Sequence, residues 1–325
     1  MGSVIRIQSA GAADVIEVHP LTPARPGAGE VWVEQKAIGV NFLDVTQRNG
    51  AVAVPLPSGL GLEGAGVVTA VGSDVQDFAP GDRVAYATGP LGGYASGRLM
   101  PAHRLVHLPD EVSFEAAAAT LFKGITAHYL LKSTYPVGPG STVLLYGVAG
   151  GVGDIMARWA KHLGACVIGV VSRAGSIDKA RAAGCDEVLV FDPQRLAQQV
   201  SEFTGGRKVD VVYDPIGRLS FAASLDCLRP RGMMVSFGAS SGAPAAVEVG
   251  LLNAKGSLFL TRPSLAAHTA TTEEYQMRAQ EVLAALQQGI IQPQIWKTYP
   301  LHDAAKAHEE LESGRSRGTI LLIPD

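Results

Sequence analysis

Val143-Leu144-Leu145-Tyr146-Gly147-Val148-Ala149-Gly150-Gly151-Val152-Gly153 is the stretch on which the reading of this chain turns. An apolar run stops at a cluster of glycines. A helical periodicity follows from Ile155 to His162 and is closed by Gly164. This is how a strand, a tight loop and a dinucleotide-binding helix look in sequence. Gly150 and Gly153 stand at the second and third glycines of a GxGxxG fingerprint. The second lets the backbone approach a pyrophosphate, and the third lets the helix pack closely on the strand. The free N–H groups and dipole of the helix start favour the negative charge. Val148 occupies the first glycine position, so the fingerprint is imperfect, and glycine-rich turns of this kind also occur without a ligand.

A second strand-like run, Cys166 to Val171, ends in Ser172-Arg173. In NAD-selective sites that strand ends in Asp or Glu, roughly 20 residues after the glycines, which bonds the ribose 2′-hydroxyl. No acid stands here. Arg173 suits a 2′-phosphate through charge-assisted bonds, so an NADP site is expected; the alternative is a solvated loop cation.

A chain of 325 residues is long for one domain, and two are expected. A hydrophobic share of 47% with 18% charged residues describes a folded, enzyme-like protein. A net charge of −3 argues against a nucleic-acid surface. No run of about 18 apolar residues is present, so no membrane span is expected. The first residues, Met1 to Arg6, lack a basic segment followed by an apolar core, and Cys166, Cys185 and Cys227 are scattered. Both features fit buried thiols in a cytoplasmic protein.

Residues 1 to about 110 read as short strands punctuated by Gly and Pro, which suggests a partly open β-barrel. Ser113 can cap a helix running from Phe114 to Lys132. From Thr142 to Thr261, strands at 142–146, 166–171, 187–191, 209–213, 233–237 and 257–261 alternate with helices. That is the rhythm of a doubly wound parallel sheet, and the fold class is α/β. A helix from Thr272 to Gln288 is closed by Gly289. A last strand-like run, Gly318 to Ile323, suggests that the chain returns to its first domain.

Several blocks carry a resemblance. They are Lys36 to Asp44, Gly61-Leu62-Glu63-Gly64-Ala65-Gly66, Ala149 to Gly153 with Trp159-Ala160-Lys161, Val212-Tyr213-Asp214, Val235 to Gly242, and Thr261 to Leu265. Together and in order, nearly end to end, the chain resembles the zinc-independent quinone oxidoreductases of the medium-chain dehydrogenase/reductase superfamily. The likeness is to bacterial NADPH-dependent and ζ-crystallin-type members. It implies a GroES-like catalytic domain (1–122), a Rossmann NADPH-binding domain (123–264), a return segment completing the first (265–325), and a cleft between the two. It also implies a homodimer paired through the edge strand near 257–261, whose unpaired backbone groups a two-fold copy would satisfy.

No metal is expected. Zinc relatives place a Cys near Asn41 and a His at the Leu62 position. His103 and His107 lack companions, and the cysteines all lie after residue 165. Glu63 persists and is read as structural. Asn41 is the first candidate for contact with cofactor and substrate, with Phe42 beside it. Asp44 is a further catalytic candidate, or a helix-start carboxylate. Lys123, Thr126 and Tyr129 fall at i, i+3 and i+6, a spacing compatible with one helical face. The resemblance places Tyr129 at a cofactor contact, and Lys123 and Thr126 are candidates for the chemistry.

By the same resemblance Gly151 and Val152 contact the pyrophosphate, and Phe237, Gly238, Ala239, Ser240, Ser241 and Gly242 form a loop over the nicotinamide. Arg262, Pro263 and Ser264 line the far wall. Arg315 or Arg317 reaches a phosphate, unless both belong to a surface turn. Relatives grip the 2′-phosphate with a lysine and a tyrosine, where this chain has Ser176 and Phe191, so NADP preference leans on Arg173 and Ser172. Two tyrosines of the substrate pocket correspond to Thr46 and Val52, which implies a wider, more apolar pocket for bulky quinones. The rival readings are an alkenal or enone reductase, an acyl-chain enoyl reductase, and a non-catalytic NADPH-binding protein of crystallin or RNA-binding type.

Overall fold

The structure, a computed structural model, describes residues 2–324. It forms two units. One comprises the residues up to Ile125 together with those from Thr269 onward, and the other is Thr126–His268. Lys123 therefore lies in the first unit, and Leu265–His268 in the second. The helix α2, Phe114–His128, runs unbroken through residue 123, so no turn signal marks the boundary there.

The first unit is built around the strand Glu30–Val40, whose alternation buries Val31, Val33, Gln35 and Ala37. Along one edge it pairs antiparallel with Glu63–Val71. Along the other it pairs with Gly97–Pro101 and then with Thr319–Ile323, so the end of the chain is a strand of this unit. A smaller sheet pairs Gly2–Ile7 with Ile16–Leu21. Two apolar clusters support these sheets. One gathers Val31, Val33, Val68, Tyr86 and Met100, and the other Ile5, Ile7, Val40, Leu60, Tyr94 and Leu322. The chain leaves Val40 directly into the helix α1, Phe42–Arg48.

The second unit holds a six-stranded, all-parallel sheet. Its order is Glu187–Val190, Cys166–Val171, Thr142–Tyr146, Val209–Asp214, Leu228–Ser236, Phe259–Thr261. Thr142–Tyr146 and Val209–Asp214 are buried throughout, as central parallel strands covered on both faces must be. Strand order reverses between these two, and ligands of open α/β sheets bind at that switch point. The loop from Gly147 to Gly150 leaves the sheet there and leads into the helix α3, Gly151–His162.

Four boundaries differ from expectation for local reasons. The helix α3 begins at Gly151 rather than Ile155, because its glycines form the first turn. The edge strand starts at Phe259, since Ser257 turns with φ 58°. The strand expected at 233–237 begins at Leu228, where it already pairs with Val209. The helix expected to reach Lys132 is α-helical only to His128; Tyr129–Thr134 then forms a π-turn. Tyr135 precedes Pro136 and is extended, which prevents continuation of the helix. Ser113 Oγ caps α2 by accepting from the Ala116 N–H at 3.1 Å.

Candidate functional site

In the first unit, Asn41 stands at the N-cap of α1 and forms a capping box with Asp44. The Asp44 Oδ2 accepts the Asn41 N–H at 2.9 Å. The Asn41 amide has further partners. Its Nδ2 donates to Glu63 Oε2 at 2.9 Å, and its Oδ1 accepts from Lys123 Nζ at 2.7 Å. Lys123 Nζ also reaches Glu63 Oε2 at 3.4 Å, and the Phe122 N–H donates to Glu63 Oε1 at 2.6 Å. An ammonium has no acceptor and a carboxylate no donor, so the two partners dictate which way the amide faces.

Glu63 is fully buried, and Asn41 and Lys123 are nearly so. A side chain at Gly39 would collide with Glu63 and the Ala118 carbonyl, so this glycine is what lets strand, carboxylate and α2 approach. Burial pushes the Glu63 carboxyl up from its ordinary range, against the pull of the Lys123 ammonium, the Asn41 amide and the Phe122 N–H. Burial also raises Asp44 to about 7, opposed by the Asn41 N–H and the Tyr94 hydroxyl. The cluster thus presents a buried cation with two of its three N–H groups engaged. Such a group stabilises an oxyanion forming beside it.

Of the other residues expected here, Thr46 is half-buried and its hydroxyl donates to the Leu43 carbonyl at 2.8 Å. Val52 and Phe42 are exposed. Arg315 and Arg317 lie in the exposed turn between Ala304–Glu312 and Thr319–Ile323, with Arg315 3.9 Å from Glu310.

In the second unit, Gly150 is the N-cap of α3 and brings no side-chain acceptor, which leaves the first-turn amides of Gly151, Val152 and Gly153 for an anion. A side chain at Gly153 would strike the Gly147 carbonyl, so the close helix–strand packing depends on this glycine. Ser172 and Arg173 are exposed just beyond Val171, and Ser176 is the N-cap of Ile177–Ala182. The Phe191 ring packs edge-on against Tyr146 at 5.8 Å and offers no polar atom. Phe237 to Gly242 form a tight loop. The N–H groups of Phe237, Ser240 and Ser241 donate to the carbonyls of Asp214, Pro215 and Ile216. Arg262 Nη1 donates to the carbonyls of Ser236 and Gly238 at 3.2 and 3.3 Å. Pro263 follows half-buried, and Ser264 Oγ accepts from the Ala267 N–H. Thr126 is buried, and Tyr129 opens the π-turn with its ring stacked on His268 at 4.4 Å.

Comparison with known proteins decides the family. Residues 27–110 match the alcohol dehydrogenase GroES-like domain, and residues 183–322 the zinc-binding dehydrogenase family. The chain is 45% identical to a quinone oxidoreductase of Pseudomonas aeruginosa over the full length of both. The solved structure of an Escherichia coli quinone oxidoreductase complexed with NADPH superimposes with a TM-score of 0.94, at 45% identity, covering 99% of this chain and 100% of that one. A 2-haloacrylate reductase of a Burkholderia species is 40% identical over 98% of each chain. The chain belongs to the quinone oxidoreductases.

Within that family the second unit is a Rossmann-type sheet and the first carries the GroES-like domain. The zinc-binding name attached to one matched region invites a test of the residues for a metal, and they do not fit one. Lys123 already places an ammonium against Asn41 and Glu63. Among the described residues no group of three or more His, Cys, Asp and Glu is placed to hold an ion. His107 Nε2 instead lies 2.9 Å from the Asp77 carbonyl.

Glu63, expected to be structural, is the carboxyl to which Asn41 and Lys123 are bound. Two further groups escaped sequence reasoning. Asp214 ends the strand Val209–Asp214 and is fully buried. It accepts from the Ile216 and Gly217 N–H groups and from the Ser220 and Ser224 hydroxyls. Lys179 Nζ donates to the Ala149 carbonyl at 3.0 Å and so braces the glycine loop.

Proposed function

We propose that this quinone oxidoreductase reduces quinones with NADPH by hydride transfer that needs no metal. The observation that carries this reading is the Lys123–Asn41–Glu63 cluster, a buried ammonium with N–H capacity to spare. The residues of the second unit fit the cofactor. The open amides of α3 suit a pyrophosphate, Ser172 and Arg173 suit a 2′-phosphate, and Lys179 adds a cation beside the loop. Bound NADPH would supply the hydride. Lys123 and Asn41 then hold the oxyanion left on the reduced quinone until a solvent proton completes the hydroquinone. Thr46 and Val52 offer no phenol, which suits bulky quinones. Tyr129, the 237–242 loop and Arg262 to Ser264 are proposed to contact the cofactor, while Arg315 and Arg317 suit only a peripheral phosphate contact.

The 2-haloacrylate reductase relative favours a second reading, hydride delivery to a conjugated alkene, because the same cluster would hold the resulting enolate. We further propose a cytoplasmic homodimer. Phe259–Thr261 is an edge strand with Phe259 58% exposed, and a two-fold copy would cover it. The three cysteines are unpaired, as in a reducing compartment. Among the described residues no helix is long and apolar enough to cross a membrane. NADPH oxidation measured with quinones, with conjugated alkenes and without acceptor separates the two readings.

A further inference from the structure

A second buried polar chain starts at Asp44 and leads away from Asn41 within the first unit. Tyr94 Oη donates to Asp44 Oδ2 at 2.8 Å. His308 Nε2 lies 3.0 Å from Tyr94 Oη, and Arg48 Nη1 lies 3.5 Å from His308 Nδ1. The Arg48 guanidinium forms a bidentate pair with Glu312 at 2.8 and 2.9 Å. Chemistry orders the protons along this chain. Arg48 has no acceptor, so His308 Nδ1 must accept and Nε2 must carry the hydrogen. That N–H donates to Tyr94 Oη, whose own hydrogen goes to Asp44. The His308 and Tyr94 donors are therefore both directed toward Asp44 Oδ2. The Tyr94 and His308 rings also meet edge to face, with centroids 5.7 Å apart.

Asp44, Tyr94 and His308 are fully buried and Arg48 almost so. They come from α1, from the segment before Gly97–Pro101, and from the helix Ala304–Glu312. The surroundings are apolar: Ile5, Ile7, Val40, Leu60 and Leu322 share the cluster with Tyr94. Apolar side chains would fill such a place at no loss of stability, so a connected polar chain here calls for another purpose. Its inner end supplies one. The oxygen that Tyr94 bonds is the oxygen that receives the Asn41 N–H, while Asp44 Oδ1 has no partner.

We propose that Tyr94 and His308 are positioning residues, holding the Asp44 carboxyl against the Asn41 N–H and so setting where the Asn41 amide meets Lys123 and Glu63. This rests on the assignment of the Lys123–Asn41–Glu63 cluster to the chemistry. It makes turnover follow the ionisation of Asp44, which is faced by Lys123, Glu63 and Tyr94, with His308 and Arg48 behind. Burial brings Asp44 to about 7, and the Tyr94 hydroxyl holds it down. Loss of that hydroxyl moves the titration to higher pH.

The test uses the full chain carrying Tyr94→Phe, His308→Leu or His308→Gln, the last keeping an N–H donor toward Tyr94. Two readouts are taken: kcat and KM for NADPH and a quinone as a function of pH, and the NMR shift of the Asn41 backbone N–H through the same titration. Tyr94→Phe and His308→Leu should lower kcat roughly tenfold. KM for NADPH should hold, both pH midpoints should rise, and His308→Gln should recover most of the loss. Variants that fold, bind NADPH and keep the wild-type kcat profile and Asn41 titration would overturn the proposal. If the wild type reduces no quinone but the Asn41 titration still shifts in Tyr94→Phe, the positioning role stands and the quinone reading falls.

Discussion

Lys123 donates to the Asn41 side-chain oxygen at 2.7 Å, and with Glu63 on the amide nitrogen this bond fixes the face that Asn41 presents. Replacing Lys123 by Met removes the one cation of the cluster. The kcat for quinone should fall by about a hundredfold, the usual cost of losing an oxyanion-stabilising donor. Stability should fall by about 3 kcal/mol, because Glu63 is left as an unpaired buried carboxyl. Adding Glu63→Gln should restore most of the stability and none of the rate. Urea melts beside steady-state kinetics of the single and double variants check both halves.

Arg173 is the cation at the end of the second Rossmann strand, where an NAD-selective site would have an acid. Arg173→Glu should weaken NADPH binding by about a hundredfold and leave NADH nearly unchanged, since only the former carries a 2′-phosphate. Titration of both cofactors by fluorescence measures the ratio. Equal weakening of the two would contradict the role.

The two glycines of the loop act differently. Gly153→Ala drives a methyl group into the Gly147 carbonyl and should lower the melting temperature of the protein. At Gly150 the nearest atom to an added methyl group is 3.2 Å away and the backbone is extended, so Gly150→Ala should fold. It should still weaken NADPH binding, by crowding the pyrophosphate at the start of α3. Calorimetry and cofactor titration distinguish the two effects.

Asp44 and His308 oppose each other in acid. Asp44 is raised from 3.8 to about 7, so between those values the folded chain binds more protons and stability falls as pH rises. Burial holds His308 down, from 6.5 to about 4, so between those values the unfolded chain binds more protons and stability rises with pH. Each slope is ~1.4 kcal/mol per pH unit, and across pH 4 to 6.5 the two nearly cancel. Asp44→Asn should therefore unmask stability that rises with pH through this window. His308→Gln should unmask stability that falls. Chemical denaturation at several pH values reads both slopes, and slopes of the same sign would refute the assignment.

The Rossmann sheet was legible because its elements are local. Apolar runs such as Thr142–Tyr146 and the glycines beside them carry their own signal within about ten residues. Lys123 was marked only by its helical spacing with Thr126 and Tyr129, while Asn41 and the open amides of α3 lay in blocks that stand out in sequence. The buried chain from Asp44 to Glu312 did not, because Tyr94 and His308 are 214 residues apart and neither sits in a periodic pattern or motif. The return of the chain to the first unit, through the pairing of Thr319–Ile323 with Glu30–Val40, was legible in the last strand-like run. Glu63 was visible as a structural acid, but its pairing with Lys123 was not, because Lys123 approaches from α2, 60 residues away in sequence.

The most direct measurement is the rate of NADPH oxidation by the purified chain with a graded series of quinones, in parallel with conjugated alkenes and with NADH. The account predicts turnover with quinones and NADPH, greatest for bulky quinones, and lowered about a hundredfold in Lys123→Met while NADPH still binds. Turnover confined to alkenes, or quinone turnover indifferent to Lys123, would contradict it.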